Sequence, residues 1–137
     1  MNQIITTLLN YAMDNGIGLV ISKDLSPYTP SAVDTQERRI VFNMNWHNQK
    51  QLAFSLAHEI AHILNGDSSM KPLYFTANKT KLEYKANATA IRMLLPYYLE
   101  DKEKSHIRIY DFIEGFGIPT YLEDVVVDEL NEYNIQI

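Results

Sequence analysis

The sequence contains no cysteine, and this absence excludes two kinds of site at the outset. Neither a disulfide framework nor a thiolate metal centre is available to the chain. Long apolar runs are missing as well, since none approaches the roughly 18 residues that a membrane-spanning helix needs. The first basic residue is Lys23, so the N-terminus lacks the charged start of a signal peptide. These absences predict a cytoplasmic protein without a membrane partner.

Basic charge is scarce too. The chain has 12 Lys and Arg residues against 17 Asp and Glu, which gives a net charge of −5. Its closest approach to a basic patch is Lys79, Lys81 and Lys85, and acidic stretches follow. Direct binding of nucleic acid through a basic surface is therefore disfavoured. A length of 137 residues and a hydrophobic content of 46% predict a single globular domain over residues 1–137.

The spacing of apolar residues predicts an α+β fold with one small sheet and helices packed on it. The predicted elements are a helix ending at Asn15-Gly16, a strand at 17–21, a loop at 26–31, a strand at 37–45, a helix from Asn48 to Asn65-Gly66, a loop at 67–79, a helix from Thr80 to Leu95 stopped by Pro96, a helix from Ile109 to Gly117, and a last helix opened by Thr120. Residues 31–34 could pair with the second strand. Asn48 with Gln51, and Thr120 with Glu123, have the spacing of capping boxes.

The strongest chemical signal is LAHEIAHIL, residues 56–64. His58 and His62 are four residues apart, so on a helix they lie on one face, roughly 6 Å apart, and can bind one tetrahedral Zn²⁺. Glu59 lies about a quarter turn away, where it can reach a water held by the metal and accept its proton. This arrangement is the HExxH pattern of zinc peptidases. The alternative is that the three side chains are exposed or bonded to backbone.

A catalytic zinc usually needs a third protein ligand. Asn65 and Ser68 exclude the metzincin extension of the motif. The remaining candidates are Glu83, Asp67, His47 and His106. Glu83 lies on the next predicted helix, where Ala86 leaves room for close packing and Asn87 could hydrogen-bond a ligand from the second shell. The rival interpretation is that Glu83 forms a capping box with Thr80, and the residues alone leave these two alternatives balanced.

Residues 38–96 resemble the ImmA/IrrE family of small metallopeptidases, which are common in bacteria, prophages and mobile elements. The resemblance rests on IVFNMNWHNQKQLAFSLAHEIAHIL and LEYKANATAIRMLLP, in which Glu83, Ala86 and Asn87 match the family's E-x-x-A-N pattern. It implies a minimal, gluzincin-like zincin fold, with a small twisted sheet whose edge strand packs on the HExxH helix. It also implies one Zn²⁺ held by His58, His62 and Glu83, with Glu59 as the base.

The same resemblance implies a function. Relatives cleave a helix-turn-helix repressor of a phage or mobile element, so the expected activity is a zinc-dependent endopeptidase that makes a limited cut in such a partner. Two alternatives are an anti-repressor that binds without cleaving and the toxin of a toxin-antitoxin pair. A second donor to the scissile carbonyl is also expected, and the candidates are Tyr74, His106, Tyr97 and Tyr98.

The strand at 37–45 suggests how a substrate could bind. Its inward and outward residues alternate as Ile40, Phe42 and Met44 against Val41, Asn43 and Asn45. If it is an edge strand, a polypeptide could pair with residues 39–45 through main-chain hydrogen bonds, with Asn43 and Asn45 facing the cleft. We favour this interpretation over an interior strand that only packs.

Overall fold

Five helices and a three-stranded sheet make up the residues that the computed structural model describes, 2–66 and 79–135. The helices are α1 (Gln3–Asp14), α2 (Leu52–Leu64), α3 (Lys79–Leu99), α4 (Ile109–Gly115) and α5 (Glu123–Asn131), and the strands are β1 (Gly18–Ser22), β2 (Ala32–Asp34) and β3 (Arg39–Asn43). The α+β prediction is confirmed. Within the described residues, none of the helices has both the length and the apolar character that crossing a membrane requires.

The sheet has the strand order β1-β3-β2. β1 runs parallel to β3 over its whole length, and β2 pairs antiparallel with residues 39–41, as predicted for the segment at 31–34. The edge-strand interpretation of residues 39–45 is therefore wrong. β3 is the central strand, because β1 and β2 both hydrogen-bond to it. Over residues 39–41 it is paired on both sides, so this stretch of backbone cannot also pair with a substrate.

The side chains of β3 and the following residues also depart from the predicted pattern. Ile40 and Phe42 are fully buried in the core as expected, but Asn43 is fully buried too. The amide nitrogen of Asn43 donates to the carbonyl oxygens of Ser26 and Thr29, at 2.9 and 2.6 Å. These bonds fasten the loop after β1 to the end of β3. Asn43 therefore supports the loop and does not face a cleft.

The start of α2 differs from the predicted capping box. Asn48 does cap the turn, since its Oδ1 accepts from the backbone nitrogen of Lys50, and a 3₁₀ turn at Gln49–Gln51 then leads into the helix. Gln51 does not fold back onto Asn48. Its Oε1 accepts from Nε1 of Trp46 at 2.8 Å, and its Nε2 donates to the carbonyl oxygen of Gly117 at 2.9 Å. Gln51 therefore links the start of α2 to a segment 66 residues later.

Helices α2 and α3 pack through small side chains. Ala57 and Ala61 on α2 and Ala86 and Ala90 on α3 are all fully buried. Alanine leaves little beyond Cβ between two helix backbones, so the axes can approach closely. Larger side chains fill the core on either side, including Leu56, Ile60, Ile91, Leu94 and Leu95. This contact positions the residues of the second helix against those of the first.

Helix α3 continues past its predicted end. Pro96 lies within the helix, which runs on to Leu99, and the backbone nitrogen of Glu100 donates to the carbonyl oxygen of Pro96. The prediction that Pro96 stops the helix is wrong, because a proline removes one N–H donor but leaves the carbonyl oxygens of its own and later residues available. Pro96 is exposed, so its ring faces solvent.

Helix α5 is fastened to α3 by an ion pair. Glu129 on α5 accepts from Nε and Nη2 of Arg92 on α3, at 3.1 and 2.8 Å, a two-pronged geometry that fixes both side chains. The helix begins after a 3₁₀ turn at Thr120–Leu122, with no side-chain cap. The predicted Thr120–Glu123 capping box is therefore wrong; the Glu123 carboxylate accepts from the Tyr110 hydroxyl.

The Gln51–Gly117 contact gives a stability prediction. Gly117 has φ +61°, and a Cβ built there would lie 2.6 Å from Cγ and 3.2 Å from the backbone nitrogen of Gln51. Gly16 has φ +72° with open space around it. We expect Gly16→Ala to lower the free energy of unfolding by about 1 kcal/mol through backbone strain alone. Gly117→Ala should cost about 1–3 kcal/mol more, because it adds overpacking.

Urea denaturation of the two variants measures the backbone strain and the overpacking separately. The Gly16 variant reports the strain of the left-handed backbone alone and is therefore the control. Equal losses of unfolding free energy would show that Gln51 moves aside without cost and would contradict a tight contact at Gly117.

Candidate metal centre

His58 and His62 lie in the middle of α2 with their rings directed to the same point. Their Nε2 atoms are 3.2 Å apart, and the rings meet edge to face with centroids 4.8 Å apart. The His62 side chain is almost fully buried, at 2% exposure, and that of His58 is 17% exposed. The helix thus presents two ring nitrogens to one site, as the four-residue spacing predicts.

Glu83 on α3 completes this group. One carboxylate oxygen lies 2.9 Å from Nε2 of His58, and the other lies 3.2 Å from Nε2 of His62. The three potential ligand atoms all lie within 4.8 Å of one another. Both oxygens of Glu83 are thus directed at the imidazole rings, which is the arrangement of the ligand alternative. The burial of Ala86 one turn below lets α3 come close enough for this contact.

The donor set fits a zinc ion. Two imidazole nitrogens and a carboxylate oxygen are ligands that Zn²⁺ prefers, and with Zn–N distances of 2.0–2.1 Å tetrahedral ligands lie about 3.4 Å apart. The Nε2–Nε2 separation of 3.2 Å is close to that value. Nδ1 of His58 is buried without a hydrogen-bond partner. Among the described residues, the polar contacts of this ring are therefore made through Nε2.

The two histidines stabilise the negative charge of Glu83. Hydrogen bonds from His58 and His62 hold the pKa of Glu83 well below its ordinary range, although partial burial opposes this. The carboxylate is therefore ionised across the physiological range of pH. An anionic oxygen beside two imidazole nitrogens creates a local attraction for a divalent cation.

Glu59 has a different environment. It lines the same cleft, and burial raises the pKa of its carboxyl from 4.5 to about 7, while His58 and His62 oppose the rise and Glu83 adds to it. A carboxyl group with a pKa near neutrality can both accept and release a proton efficiently. The two glutamates thus differ in their chemistry, because Glu83 is held as an anion and Glu59 is suited to proton transfer.

A cleft of about 590 Å³ opens over these residues. Trp46, Phe54 and Pro119 give it an apolar wall, and Ser55 and Tyr121 add hydroxyl groups. A second recess of about 610 Å³ shares three lining residues with the first, namely Glu83, Asn87 and Tyr121. The two recesses therefore adjoin at these three residues, of which Glu83 is a candidate metal ligand.

The other candidate ligands lie elsewhere. His47 is exposed; its Nδ1 lies 3.2 Å from the carbonyl oxygen of Pro27 and its ring stacks on Tyr28. His106 is exposed in a 3₁₀ turn at Lys104–His106, after α3. Neither lines the cleft. Asp67 lies outside the described residues.

None of the predicted second donors to the scissile carbonyl is found in the cleft among the described residues. Tyr74 lies outside the described residues. The Tyr98 hydroxyl is occupied, because it donates to the carbonyl oxygen of Arg108 and accepts from its backbone nitrogen. Tyr97 and His106 are not among the residues that line the cleft. The described residues instead place Tyr121 there.

Sequence reasoning missed Tyr121, Trp46 and Gln51 as parts of the cleft. Their positions depend on the bonds from Trp46 to Gln51 and from Gln51 to Gly117, and the second of these joins residues 66 positions apart in the chain. The only available signal is local. Tyr121 is an exposed aromatic residue between Ile118 and Leu122, which are both buried.

Comparison with protein families gives one match. The model of the Peptidase_M78 family, described as the IrrE N-terminal-like domain, matches residues 13–122. This range contains the whole candidate metal centre and extends to Tyr121. No curated protein and no solved structure matches the chain significantly.

The geometry predicts that the protein binds one zinc ion per chain. We expect His58→Ala and His62→Ala to lower the zinc affinity at least about 100-fold, and Glu83→Gln at least about tenfold, because each removes a ligand. Competition with a chromophoric chelator measures the affinity.

The matched controls are His106→Ala and Glu100→Gln, which change exposed residues of the same types outside the cleft. Circular dichroism of each variant establishes that it is folded. Wild-type affinity in a folded Glu83→Gln variant would remove Glu83 from the ligand set.

Proposed function

The chain belongs to the IrrE N-terminal-like (Peptidase_M78) family of metallopeptidase-type proteins, and from this premise we propose that it is a zinc-dependent endopeptidase that makes a limited cut in a protein partner. The observation that carries the proposal is the convergence of His58, His62 and Glu83 beside Glu59 in an open cleft. Ligand and base positions are thus provided by two packed helices.

In this proposal His58, His62 and Glu83 hold the metal. A bound Zn²⁺ would polarise the scissile carbonyl group and lower the pKa of a coordinated water to about 7. The buried alanines between α2 and α3 keep the three side chains together. Rigid placement matters, because ligands on packed helices need little reorganisation when substrate binds.

Glu59 moves the proton. Hydrolysis of a peptide bond forms a bond between the water oxygen and the carbonyl carbon and breaks the carbon–nitrogen bond, so one proton must pass from the water to the leaving amine. Glu59 accepts this proton and then donates it to the amine nitrogen. The second proton of the attacking water also passes to the amine, so the products are a carboxylate and a protonated amine, and Glu59 returns to its starting state.

The substrate binds as an extended segment. The cleft admits a few side chains and no folded domain, which favours one cut in an exposed stretch of a larger protein. β2 is the sheet edge nearest to the cleft, because Pro30 and Ser31, directly before it, line the wall. A substrate strand would therefore add beside β2, in place of the β3 pairing that the sheet order excludes.

For the partner we propose a helix-turn-helix repressor. Support comes from the resemblance of residues 38–96 to peptidases that act on such regulators, and from the limited-cut geometry. A repressor with a flexible link between its DNA-binding and dimerisation parts offers the extended segment that this cleft accepts.

The test of function is Glu59→Gln, which removes the base but keeps the size of the side chain. With zinc-loaded protein and a mixed library of internally quenched peptides, we expect at least a roughly 100-fold loss of cleavage rate, since general acid–base catalysis contributes 10²–10⁴-fold. Zinc content should be unchanged. The same pair of proteins is then incubated with helix-turn-helix regulators encoded beside the gene.

A single cut by the wild type, absent with Glu59→Gln or chelator, supports the proposal for that regulator. Equal cleavage by both proteins would show that Glu59 is not the base. A stable complex in which the regulator stays intact, whether zinc is present or chelated, would replace peptidase function with sequestration.

A further inference from the structure

Tyr121 occupies an unusual position in the cleft wall. The residues around it are firmly held, since Ile118 and Leu122 are buried and the carbonyl oxygen of Gly117 accepts from Gln51. The Tyr121 side chain itself is 78% exposed, the highest value among the large hydrophobic residues that are described. A fixed backbone thus carries an aromatic residue that lines the cleft and is largely open to solvent.

Tyr121 also lies where the two recesses meet. With Glu83 and Asn87 it forms the boundary that both recesses share. The boundary therefore carries one candidate metal ligand and two neutral polar side chains. A polypeptide that crosses from one recess to the other must pass all three.

The Tyr121 hydroxyl is available for binding. Tyr98 and Tyr110 use their hydroxyl groups, on the backbone of Arg108 and on the Glu123 carboxylate respectively. Among the described residues the Tyr121 hydroxyl has no such partner. The Trp46 and Gln51 donors nearby are already used in the wall itself.

Asn87 supplies the second observation. The residue is only 8% exposed, and yet its carboxamide makes no hydrogen bond with another described residue. Neither of its polar atoms is fully enclosed, because the buried side-chain atoms without a partner are on His58 and Asn65. The amide therefore opens onto the recesses that it lines, where water can satisfy it and a ligand that displaces this water can take over its hydrogen bonds.

We propose that the Tyr121 hydroxyl donates to the carbonyl oxygen of the peptide bond that is cut, and that the Asn87 carboxamide binds the adjacent main chain of the substrate. This inference rests on the proposed peptidase function. Charge grows on the carbonyl oxygen during attack, so a donor placed there acts mainly on the rate. A main-chain contact acts equally before and during the reaction, so Asn87 acts mainly on binding.

The first test separates these roles kinetically. On one internally quenched peptide that the zinc-loaded wild type cuts, Tyr121→Phe should lower kcat about 100-fold with KM within about threefold. Asn87→Ala should raise KM about tenfold with kcat within about threefold. Tyr84→Phe is the control, because Tyr84 is also exposed and borders only the second recess.

The second test does not depend on turnover. A peptidyl phosphonamidate presents an oxygen that imitates the charged carbonyl oxygen, whereas a mercaptoacyl peptide with the same side chains presents none. By calorimetry, Tyr121→Phe should weaken the phosphonamidate about tenfold or more and leave the mercaptoacyl peptide within about twofold. Asn87→Ala should weaken both, because both share the main chain that it binds.

Each outcome decides one claim. If the wild type cuts no peptide, the proposed function fails, and the binding comparison still tests the two residues. Equal phosphonamidate binding by the wild type and Tyr121→Phe, or a Tyr121→Phe effect confined to KM, overturns the role of Tyr121. Unchanged binding of both ligands by Asn87→Ala overturns the role of Asn87.

Discussion

The close contact between α2 and α3 is the constraint on which the candidate site depends. Fully buried alanines at positions 57, 61, 86 and 90 bring the helix backbones together, and only then can the Glu83 carboxylate come within 3.2 Å of both histidine rings. A larger side chain at any of these positions would push α3 outward. Such a change would separate the ligands without touching one of them. The packing that stabilises the helix pair therefore also sets the geometry of the site.

Features that depend on residues close together in the chain were predicted correctly. The four-residue spacing of His58 and His62 fixes their common helix face, and Gly16, Gly66 and Gly117 all adopt the positive φ expected after a helix. Glu83 is instructive because local physics was balanced there. Near the start of its helix, Glu83 could have capped the backbone. It contacts the two histidines instead, which lie more than twenty residues earlier in the chain. The resemblance to a family carried that information, since periodicity could not.

The predictions that failed concern residues whose partners are distant in the chain. Residues 39–45 have the alternation of an edge strand, but whether a strand lies at the edge depends on β1 and β2, which pair with it from both sides. Asn43 was assigned to a polar face, yet it is buried because the loop at residues 26–29 supplies carbonyl oxygens that satisfy its amide. Gln51 likewise bonds to Trp46 and Gly117, whereas the capping box predicted a bond to Asn48. In each case a tertiary hydrogen bond prevails over a local preference.

These distant bonds also explain why the two sides of the cleft differ. The side with the candidate ligands is formed by two helices with a continuous buried interface, so its groups have little freedom to move. The opposite side ends in the segment from Gly117 to Tyr121, which is tied to the start of α2 by the Gln51 side chain. A peptide bound as we propose would contact both. Both sides are therefore held in place, one by helix packing and the other by the Gln51 bond and the buried side chains of Ile118 and Leu122, so that the exposed Tyr121 ring stands on a fixed backbone.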